Sequence, residues 1–589
     1  MFSDPVAKEI LGALSAERVR RTVETITENI PTRLAGSENG RRMAEFTARV
    51  LTEVGAAGRV VNLPGLVSFP GEGRLKLDGE IFTGSTLGQS APSIPGGTAG
   101  RLVDVGPGDA RALAEAARRL GQEDLTGCLL LSDLASHPPR QEKLRLAQAA
   151  GAVGCVMMNF GPDDGTAIPF GSVKAAWGNP EAGNYAAEVP SIPAIGLSRR
   201  DGTALRVQLA SNAPEGRIEA EVENDWREIQ ITLGEIASGQ ASEFVLVGGH
   251  QDSWFGPQAT DNAAGTACIL EIARVFAPHS DRLLRGLVFG CWQGHETGTM
   301  IGSSWIADQE WDRLSRGAVA YLQIDEPGCV GTTRWDVSSN AELRAFHEEI
   351  EDELLDGRAR IWRKAAKMGD ASFLGLGIPM IAAQGGFTDE EIAKAGSRGW
   401  WHHSVHNTID KLDWDEVALH LRLYAGYLWR LCTVPILPYR FAPAAAALTE
   451  AIDTLPDAPM GIDTRRLGQA AWHLAGLLGR VDARLAAVGK SAAVADNRAA
   501  KINDLVRHIA RELVPLSTTV AGRYGQDPYG YSPLAAPIPA IAGLAELEAI
   551  AEGEPRLLAL TRLRRARNRV ADAVSEAAFF AELLLGELD

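Results

Sequence analysis

The sequence predicts an α/β fold: a mostly parallel mixed sheet flanked by helices, with a β-rich insert and a C-terminal helical domain. Between residues 227 and 328, strand-like runs ("EFVLVGGH", "GLVFGCW", "AVAYLQIDEPG") alternate with the helical pattern "NAAGTACILEIARVFA", which is typical of a parallel sheet covered by helices. Residues 60 to 225 hold short β-type runs separated by Gly, Pro, Asn and Asp. After Pro438 the composition shifts to Ala, Leu and Arg in long helical patterns.

A chain of 589 residues is too long for one ordinary hydrophobic core. We therefore predict a discontinuous α/β domain formed by residues 1–60 and 225–438. Residues 61–224 form the insert, and residues 439–589 form the helical domain. Within the first segment, the turn-rich stretch "IPTRLAGSENG" separates two helical patterns.

Composition excludes several classes of protein. The hydrophobic fraction of 45% and charged fraction of 23% are those of a globular protein. A net charge of -17 argues against binding to nucleic acid or to anionic lipid. The start "MFSDPVAKEILGALSAERV" lacks a signal-peptide pattern, and no long apolar window suggests a membrane span. We expect a cytoplasmic location, and we expect the six scattered cysteines to be buried, reduced thiols.

Ionisable residues follow several apolar runs, at the positions where a parallel sheet presents its loops. The motifs are "GGHQDSW", "ATDNAAG", "GHETG", "QIDEPG" and "WWHHSVHNTIDKLD", and they supply His250, Asp252, Asp261, Glu296, Asp325, His402, His403 and His406. Two imidazoles and three carboxylates suit a pair of divalent ions, zinc above all. Such a pair needs a carboxylate that can bridge the two ions.

Each of these residues also has a simpler interpretation. Asp261 precedes a helix and could act as an N-cap, while His250 could be a hydrogen-bonded residue at a strand end. Glu296 could be a solvated loop acid, and "WWHHSVHN" an aromatic-rich loop. The joint occurrence of all the groups at strand ends favours a metal site.

These motifs resemble those of the zinc peptidase family 28, which includes bacterial aminopeptidases and glutamate carboxypeptidase II. The resemblance implies a phosphorylase/hydrolase-like zinc peptidase fold. The insert, with "LTGCLLLSD" and "VPSIPAIGLS", looks like a protease-associated domain. The C-terminal region, with "YGQDPYGYSPLAAPIPA", looks like the dimerisation domain of the transferrin receptor and glutamate carboxypeptidase group, and implies a homodimer.

The resemblance also assigns metal ligands. It implies two divalent ions, most simply Zn²⁺, with Mn²⁺ or Fe²⁺ as alternatives. Asp261 matches the bridging carboxylate, His250 and Asp325 match the ligands of one ion, and Glu296 and His403 match the ligands of the other.

Two further residues match positions beside these ligands. Asp252 matches the acid that orients a histidine ligand and fixes its tautomer. Asn262 follows the bridging residue, and in the family the peptide bond between these two positions is commonly cis.

The chain departs from the family pattern at His295, where the family has a second glutamate that carries a proton from the water to the leaving amine. Imidazole can serve as a proton carrier near neutral pH, so His295 as the general base is the leading hypothesis. Alternatively His295 binds metal or substrate, and His402 or His406 carries the proton. A third alternative is that catalysis has been lost. The segment "TGTMI" is one residue longer than usual, which predicts a register shift or bulge beside the site.

The predicted function is hydrolysis of an amide bond in a short peptide or small molecule, by an aminopeptidase- or carboxypeptidase-like enzyme. A non-peptidase acting on a specialised metabolite is one alternative, and a non-enzymatic scaffold of the transferrin-receptor kind is another. Near the site, "AAKMGDASFLGLGIPMIAAQGGF" offers Asp370 and Phe373 as pocket residues, although a core loop and strand fit that segment equally well.

Overall fold

The computed structural model describes residues 4–134, 137–210, 213–238, 242–395, 399–488 and 496–589. Most of its strands belong to one large mixed sheet, as predicted. The strands in chain order are β1 (Arg59–Leu77), β2 (Glu80–Thr86), β3 (Thr98–Asp104), β4 (Cys128–Asp133), β5 (Gly154–Met158), β6 (Ala194–Leu197), β7 (Glu215–Ile236), β8 (Phe244–His250), β9 (Gly286–Trp292), β10 (Ala318–Gln323), β11 (Arg334–Ser339), β12 (Arg360–Lys364) and β13 (Met380–Gly386).

Helices cover the sheet and form the C-terminal region. They are α1 (Pro5–Ala13), α2 (Ala16–Asn29), α3 (Glu38–Glu53), α4 (Ala110–Leu120), α5 (Arg140–Ala149), α6 (Tyr185–Glu188), α7 (Arg199–Leu209), α8 (Ala264–Phe276), α9 (Ile301–Gln309), α10 (Trp311–Gly317), α11 (Ala341–Leu354), α12 (Asp389–Ala395), α13 (Trp414–Thr433), α14 (Ala442–Asp453), α15 (Thr464–Val488), α16 (Asp496–Thr518) and α17 (Glu554–Leu588). The first three begin at the side-chain caps Asp4, Ser15 and Ser37, each of which accepts a main-chain N–H of the first turn.

The sheet order is β1-β2-β6-β5-β4-β3-β7-β9-β8-β10-β13-β11-β12. β1 and β7 form a long antiparallel pair that joins the strands of the insert to those of the predicted α/β domain. The predicted domain boundaries at 60/61 and 224/225 fall inside these two strands. Each strand therefore runs from one predicted part into the other.

The central strands of the predicted α/β domain are parallel. β9 pairs with β8, β8 with β10 and β10 with β13, all in parallel, and every residue of β8, β9 and β10 is buried. Strands covered on both faces need apolar residues throughout, which explains the continuous runs "FVLVGGH" and "GLVFGCW". Because these strands are adjacent and parallel, the residues that follow them meet at one edge of the sheet.

Helices α14, α15, α16 and α17 form the C-terminal region together with short 3₁₀ turns. Buried residues of α17 recur every three to four positions, as in Val570, Val574, Ala577 and Ala581. All six cysteines are free and buried, as predicted. Among the described helices, none combines the length and the apolar character needed to cross a membrane.

Candidate metal centre and active site

All five predicted metal ligands meet at the carboxyl edge of the parallel strands. His250 is the last residue of β8, Glu296 lies in the turn after β9, and Asp325 follows β10 by two residues. Asp261 lies in the turn before α8, and His403 lies in the loop that precedes α13. These side chains are distant in sequence and come together because neighbouring parallel strands end at the same edge.

The donor atoms divide into two sets that share Asp261. Nε2 of His250 lies 3.0 Å from Oδ1 of Asp261 and 3.3 Å from Oδ1 of Asp325. Nε2 of His403 lies 3.1 Å from Oδ2 of Asp261 and 3.3 Å from Oε1 of Glu296. The two carboxylate oxygens of Asp261 therefore face different sets, which is the arrangement that a bridging ligand requires.

These spacings fit metal coordination. Two ligand atoms that each lie about 2.0 Å from a tetrahedral zinc ion are separated by about 3.3 Å. In the part of the chain that the structure describes, Nε2 of His250, Oδ2 of Asp261, Oε1 of Glu296 and Oδ1 of Asp325 are buried and lack hydrogen-bond partners. Buried polar atoms are normally paired, so four that converge at ligand spacing show that these residues fit metal coordination.

Main-chain carbonyls orient the two imidazole ligands. Nδ1 of His250 lies 3.1 Å from the carbonyl oxygen of Asp252, and Nδ1 of His403 lies 3.2 Å from that of Phe170. Donation from Nδ1 leaves the Nε2 lone pairs free to face the cluster.

Asp252 lies beside His250, as predicted, and has a second role. Its carboxylate Oδ1 is 3.5 Å from Nδ1 of His250, while Oδ2 accepts the main-chain N–H groups of Gly294 and Glu296. Asp252 therefore helps to hold both a ligand of one set and the turn that carries a ligand of the other.

The turn before α8 does not follow the simpler interpretation of Asp261 as a helix cap. Asp261 has non-helical backbone angles, and α8 begins three residues later. Asn262 has the capping contact instead, because its Oδ1 accepts the N–H of Gly265, and its Nδ2 donates to the carbonyl of Ile324. The Asp261–Asn262 peptide bond is cis, as is common in the family that the motifs resemble.

His295 lies against the first donor set and is held by Asp370. Its Nδ1 is 2.9 Å from Oδ2 of Asp370, and its ring stacks on that of His250 with centroids 3.8 Å apart and planes 15° from parallel. Asp370 does not line the cavity and instead lies behind His295, so its predicted place in the pocket is corrected to a contact with the imidazole.

His402 repeats this arrangement on the second donor set. Its ring stacks on that of His403 at 4.0 Å and 19°, and its Nδ1 lies 2.8 Å from Oε1 of Glu326. Each ligand imidazole is thus covered by a second imidazole that a buried carboxylate holds. The sequence gave no indication that Glu326 would contact His402, although Glu326 is part of the motif "QIDEPG".

The stacked rings argue against coordination by His295 or His402 in this arrangement. A metal ion lies close to the plane of the ring that binds it, along the lone pair of the nitrogen. Two nearly parallel rings that lie face to face cannot both have the same ion in their planes. The atoms of His295 and His402 are near enough to the clusters for coordination, but their ring planes favour a different role.

A cavity of about 500 Å³ opens over the cluster. Its walls include Arg140 and Phe160 of the insert, Tyr529 of the C-terminal region, and His295 and His402. Cavities of this size hold small organic ligands.

Two predicted site residues lie outside this cavity. His406 is exposed and packs against Trp400, which removes it as the alternative proton carrier. Phe373 is buried against Tyr321 and Trp292, so it belongs to the core and not to the pocket.

The register shift or bulge expected in "TGTMI" lies after β9, which ends at Trp292, and stays a prediction. The pairings of β9 with β8 and β7 have no register shift. The chain turns after Glu296 through Thr299 and Met300, which both have left-handed backbone angles, with φ of 56° and 66°.

Arg33 is a site residue that the sequence analysis missed. Its fully buried guanidinium donates to the main-chain carbonyls of Gln251, Pro257 and Gln258 in the loop that follows β8. Burial lowers the pKa of Arg33 to about 10, while Asp252 and Asp261 oppose that shift. A charged residue in a turn-rich stretch gave no signal of this role.

The carboxylates make the cluster strongly favourable for cations. Burial opposes the His403 cation, but Glu296 and Asp261 raise the pKa of His403 to about 9. Burial likewise opposes the His295 cation, as does His250, yet Asp370 and Glu296 raise the pKa of His295 overall. A negative field of this kind attracts divalent ions.

A cluster of this composition at the carboxyl edge of a mostly parallel sheet defines a candidate metallohydrolase site. Residues 232–428 match the model of peptidase family M28, and residues 98–205 match the PA domain. Over these ranges the chain is similar to peptidase family M28 and to the PA domain, which confirms the predicted resemblance.

Individual relatives agree with this assignment. A probable leucine aminopeptidase of Arthroderma benhamiae is 29% identical over 228 residues, which cover 36% of this chain and 59% of the relative. Aminopeptidase YwaD of Bacillus subtilis is 24% identical over 383 residues, covering 64% of this chain and 72% of the relative. A solved zinc aminopeptidase from Bacillus subtilis has a TM-score of 0.54 at 19% identity, covering 71% of this chain and 95% of that one, and shows the same fold.

Proposed function

We propose that the protein is a dinuclear metal-dependent hydrolase that cleaves an amide bond in short peptides. The observation that carries the proposal is the division of the donor atoms into two sets that share Asp261. His250 and Asp325 would hold one ion and His403 and Glu296 the other. Zn²⁺ suits this mixture of imidazole and carboxylate, with Mn²⁺ or Fe²⁺ as alternatives. The convergence of unpaired buried donors argues against a metal-free scaffold.

When bound, such a pair of ions polarises a carbonyl and makes water nucleophilic at neutral pH. We assign the proton transfer to His295. Its Nδ1 faces Asp370, so Nδ1–H is donated to that carboxylate and the lone pair lies on Nε2. A neutral imidazole with this tautomer can accept a proton at Nε2 and return it to the leaving amine.

His402 would contact the substrate on the opposite side of the site. It lines the cavity, stacks on His403 and is oriented by Glu326. With Nδ1 bonded to Glu326, its Nε2 is the end of the ring left for a hydrogen bond with the substrate. Its position makes it the second candidate for proton transfer should His295 prove dispensable.

An aminopeptidase-like reaction on short peptides is favoured. The relatives named above are called aminopeptidases, and the cavity of about 500 Å³ is lined by residues from three parts of the chain. The several carboxylates of the site would favour a substrate with a free amino group over one with an added negative charge.

The test is a substrate panel assayed with purified protein before and after removal of metal. We expect hydrolysis of aminoacyl p-nitroanilides and short peptides, loss of activity with a chelator, and recovery on adding Zn²⁺, Mn²⁺ or Fe²⁺. N-acetylated substrates are expected to react poorly. Full activity in metal-free protein would refute the proposal. Hydrolysis confined to non-peptide amides would show that the proposed substrate class, short peptides, is wrong.

We also propose a homodimer formed through the C-terminal helices. Their outer surfaces expose Trp472 on α15 and Phe579 and Leu583 on α17, and large exposed apolar side chains close together often mark interfaces. Light scattering after size exclusion should give a mass near twice 62.9 kDa. A monomer at micromolar concentration would refute this proposal.

A further inference from the structure

A chain of buried hydrogen bonds leads from His295 away from the cavity. Oδ1 of Asp370 accepts from Oγ of Ser303 at 2.7 Å, and Ser303 Oγ lies 2.9 Å from Oγ of Ser372. The indole Nε1 of Trp177 donates to the same Ser372 Oγ at 2.8 Å. Trp177 belongs to the predicted insert, so the chain joins that region to the proposed proton carrier.

The direction of every bond in this chain follows from its two ends. An indole N–H can only donate, and a carboxylate can only accept. Ser372 therefore accepts from Trp177 and donates to Ser303, and Ser303 donates to Asp370. The second oxygen of Asp370 faces Nδ1 of His295, so the chain ends on the imidazole and fixes the tautomer with its lone pair on Nε2.

This series of hydrogen bonds is shielded from solvent. Ser303 is fully buried, and Trp177, Asp370 and Ser372 are 3% exposed or less. Water therefore cannot readily replace a lost partner, and hydrogen bonds in series strengthen one another in such surroundings.

Three regions of the molecule meet at Ser372. Trp177 comes from the insert, while Nε2 of Gln526, from the C-terminal region, donates to the carbonyl of Ser372 at 3.1 Å. The ring of Tyr529 stacks on that of Trp177 with centroids 5.5 Å apart and planes 17° from parallel. The insert and the C-terminal loop thus both contact the end of the hydrogen-bonded series that lies farthest from His295.

We infer that Trp177, Ser372 and Ser303 are positioning residues that act through Asp370 to hold the catalytic imidazole in its working tautomer and orientation. The insert then does more than form a wall of the cavity, because its docking completes the support of His295. This inference rests on the proposed role of His295 as the proton carrier.

The experiment compares steady-state kinetics of Ser303→Ala and Trp177→Phe with those of the wild-type enzyme, all loaded with metal. Phenylalanine keeps an aromatic ring against Tyr529 and removes the indole N–H together with part of the fused ring, a loss of volume that the control below shares. We expect kcat to fall about tenfold for Ser303→Ala, which removes the hydrogen bond to Asp370, and about threefold for Trp177→Phe, which removes only the far end of the series, with KM little changed. The matched control is Trp335→Phe, which removes a buried indole bond to Tyr427 outside the chain and should leave kcat unchanged.

A double-mutant cycle separates positioning from general stability. In a His295→Gln background, Ser303→Ala should have no further effect on the residual rate, because the group that it positions is gone. An undiminished kcat in both single variants, or equal losses from Ser303→Ala with and without His295, would overturn the inference. If His295→Gln itself leaves turnover unchanged, the proposed function of His295 fails instead.

Discussion

Replacement of His295 by glutamine is the most informative single change, because it separates the roles of base and ligand. Glutamine retains an amide that can donate to Asp370, but it cannot accept a proton. General acid–base catalysis contributes roughly 10²–10⁴ in rate, or about 2.7–5.5 kcal/mol in the activation barrier. We expect a loss of about 10³ in kcat, near the middle of this range, because the other carboxylate-anchored imidazole, His402, lies against the opposite donor set.

The stacked geometry adds a second expectation for His295→Gln. Because the ring of His295 lies nearly parallel to that of His250, it does not share an ion with that ligand, and the variant should bind as much metal as the wild-type protein. The assay pairs hydrolysis of an aminoacyl p-nitroanilide with elemental analysis of the same sample. Retention of kcat within about threefold would remove His295 from the chemistry, since that is far below the contribution of a general base. Loss of one metal ion per chain would make it a ligand.

Three further variants test other parts of the site and fold. Asp261→Asn should lower metal content and reduce kcat by more than the roughly 100-fold that loss of an outer partner costs, whereas the exposed Asp281→Asn should match wild type in both measurements. Arg33→Met leaves three main-chain carbonyls without their donor, and thermal melting should show a destabilisation of roughly 3 kcal/mol or more, against little change for Arg41→Met, whose ion pairs are exposed. Burial lowers the pKa of Lys174 to about 7, so between about pH 7 and 10.5 the unfolded chain binds a proton that the folded protein does not. The free energy of unfolding should therefore rise with pH by up to about 1.4 kcal/mol per unit, and a stability profile of Lys174→Met that keeps the full wild-type slope would contradict this reasoning.

The resemblance of the motifs to a known family and elementary patterning together predicted much of the active region. Continuous apolar runs identified β8, β9 and β10, and the ionisable residues that follow them had to meet at one edge once the strands were parallel. Composition alone also separated the C-terminal helices from the rest, because Leu and Ala recur at helical spacing there.

The sequence could not show which side chains support the cluster from behind. Asp370 looked like a pocket residue, and His406 like a proton carrier, because sequence proximity to a motif carries no information on side-chain direction. The structure turns Asp370 toward His295 and leaves His406 exposed. The same limit hid Arg33, whose partners lie more than two hundred residues away in the chain.

By itself the sequence determined the chemical inventory of this protein: two histidines and three carboxylates of the right kind, placed after buried strands, with histidine where glutamate was expected. The tertiary structure decided how those groups are used. Only packing could stack His295 on His250, place Asp370 and Ser303 behind it, and bring Trp177 of the insert to the end of the same hydrogen-bonded chain. Stacking and hydrogen bonds depend on distances of a few ångström between residues far apart in sequence, and those distances exist only in the folded chain.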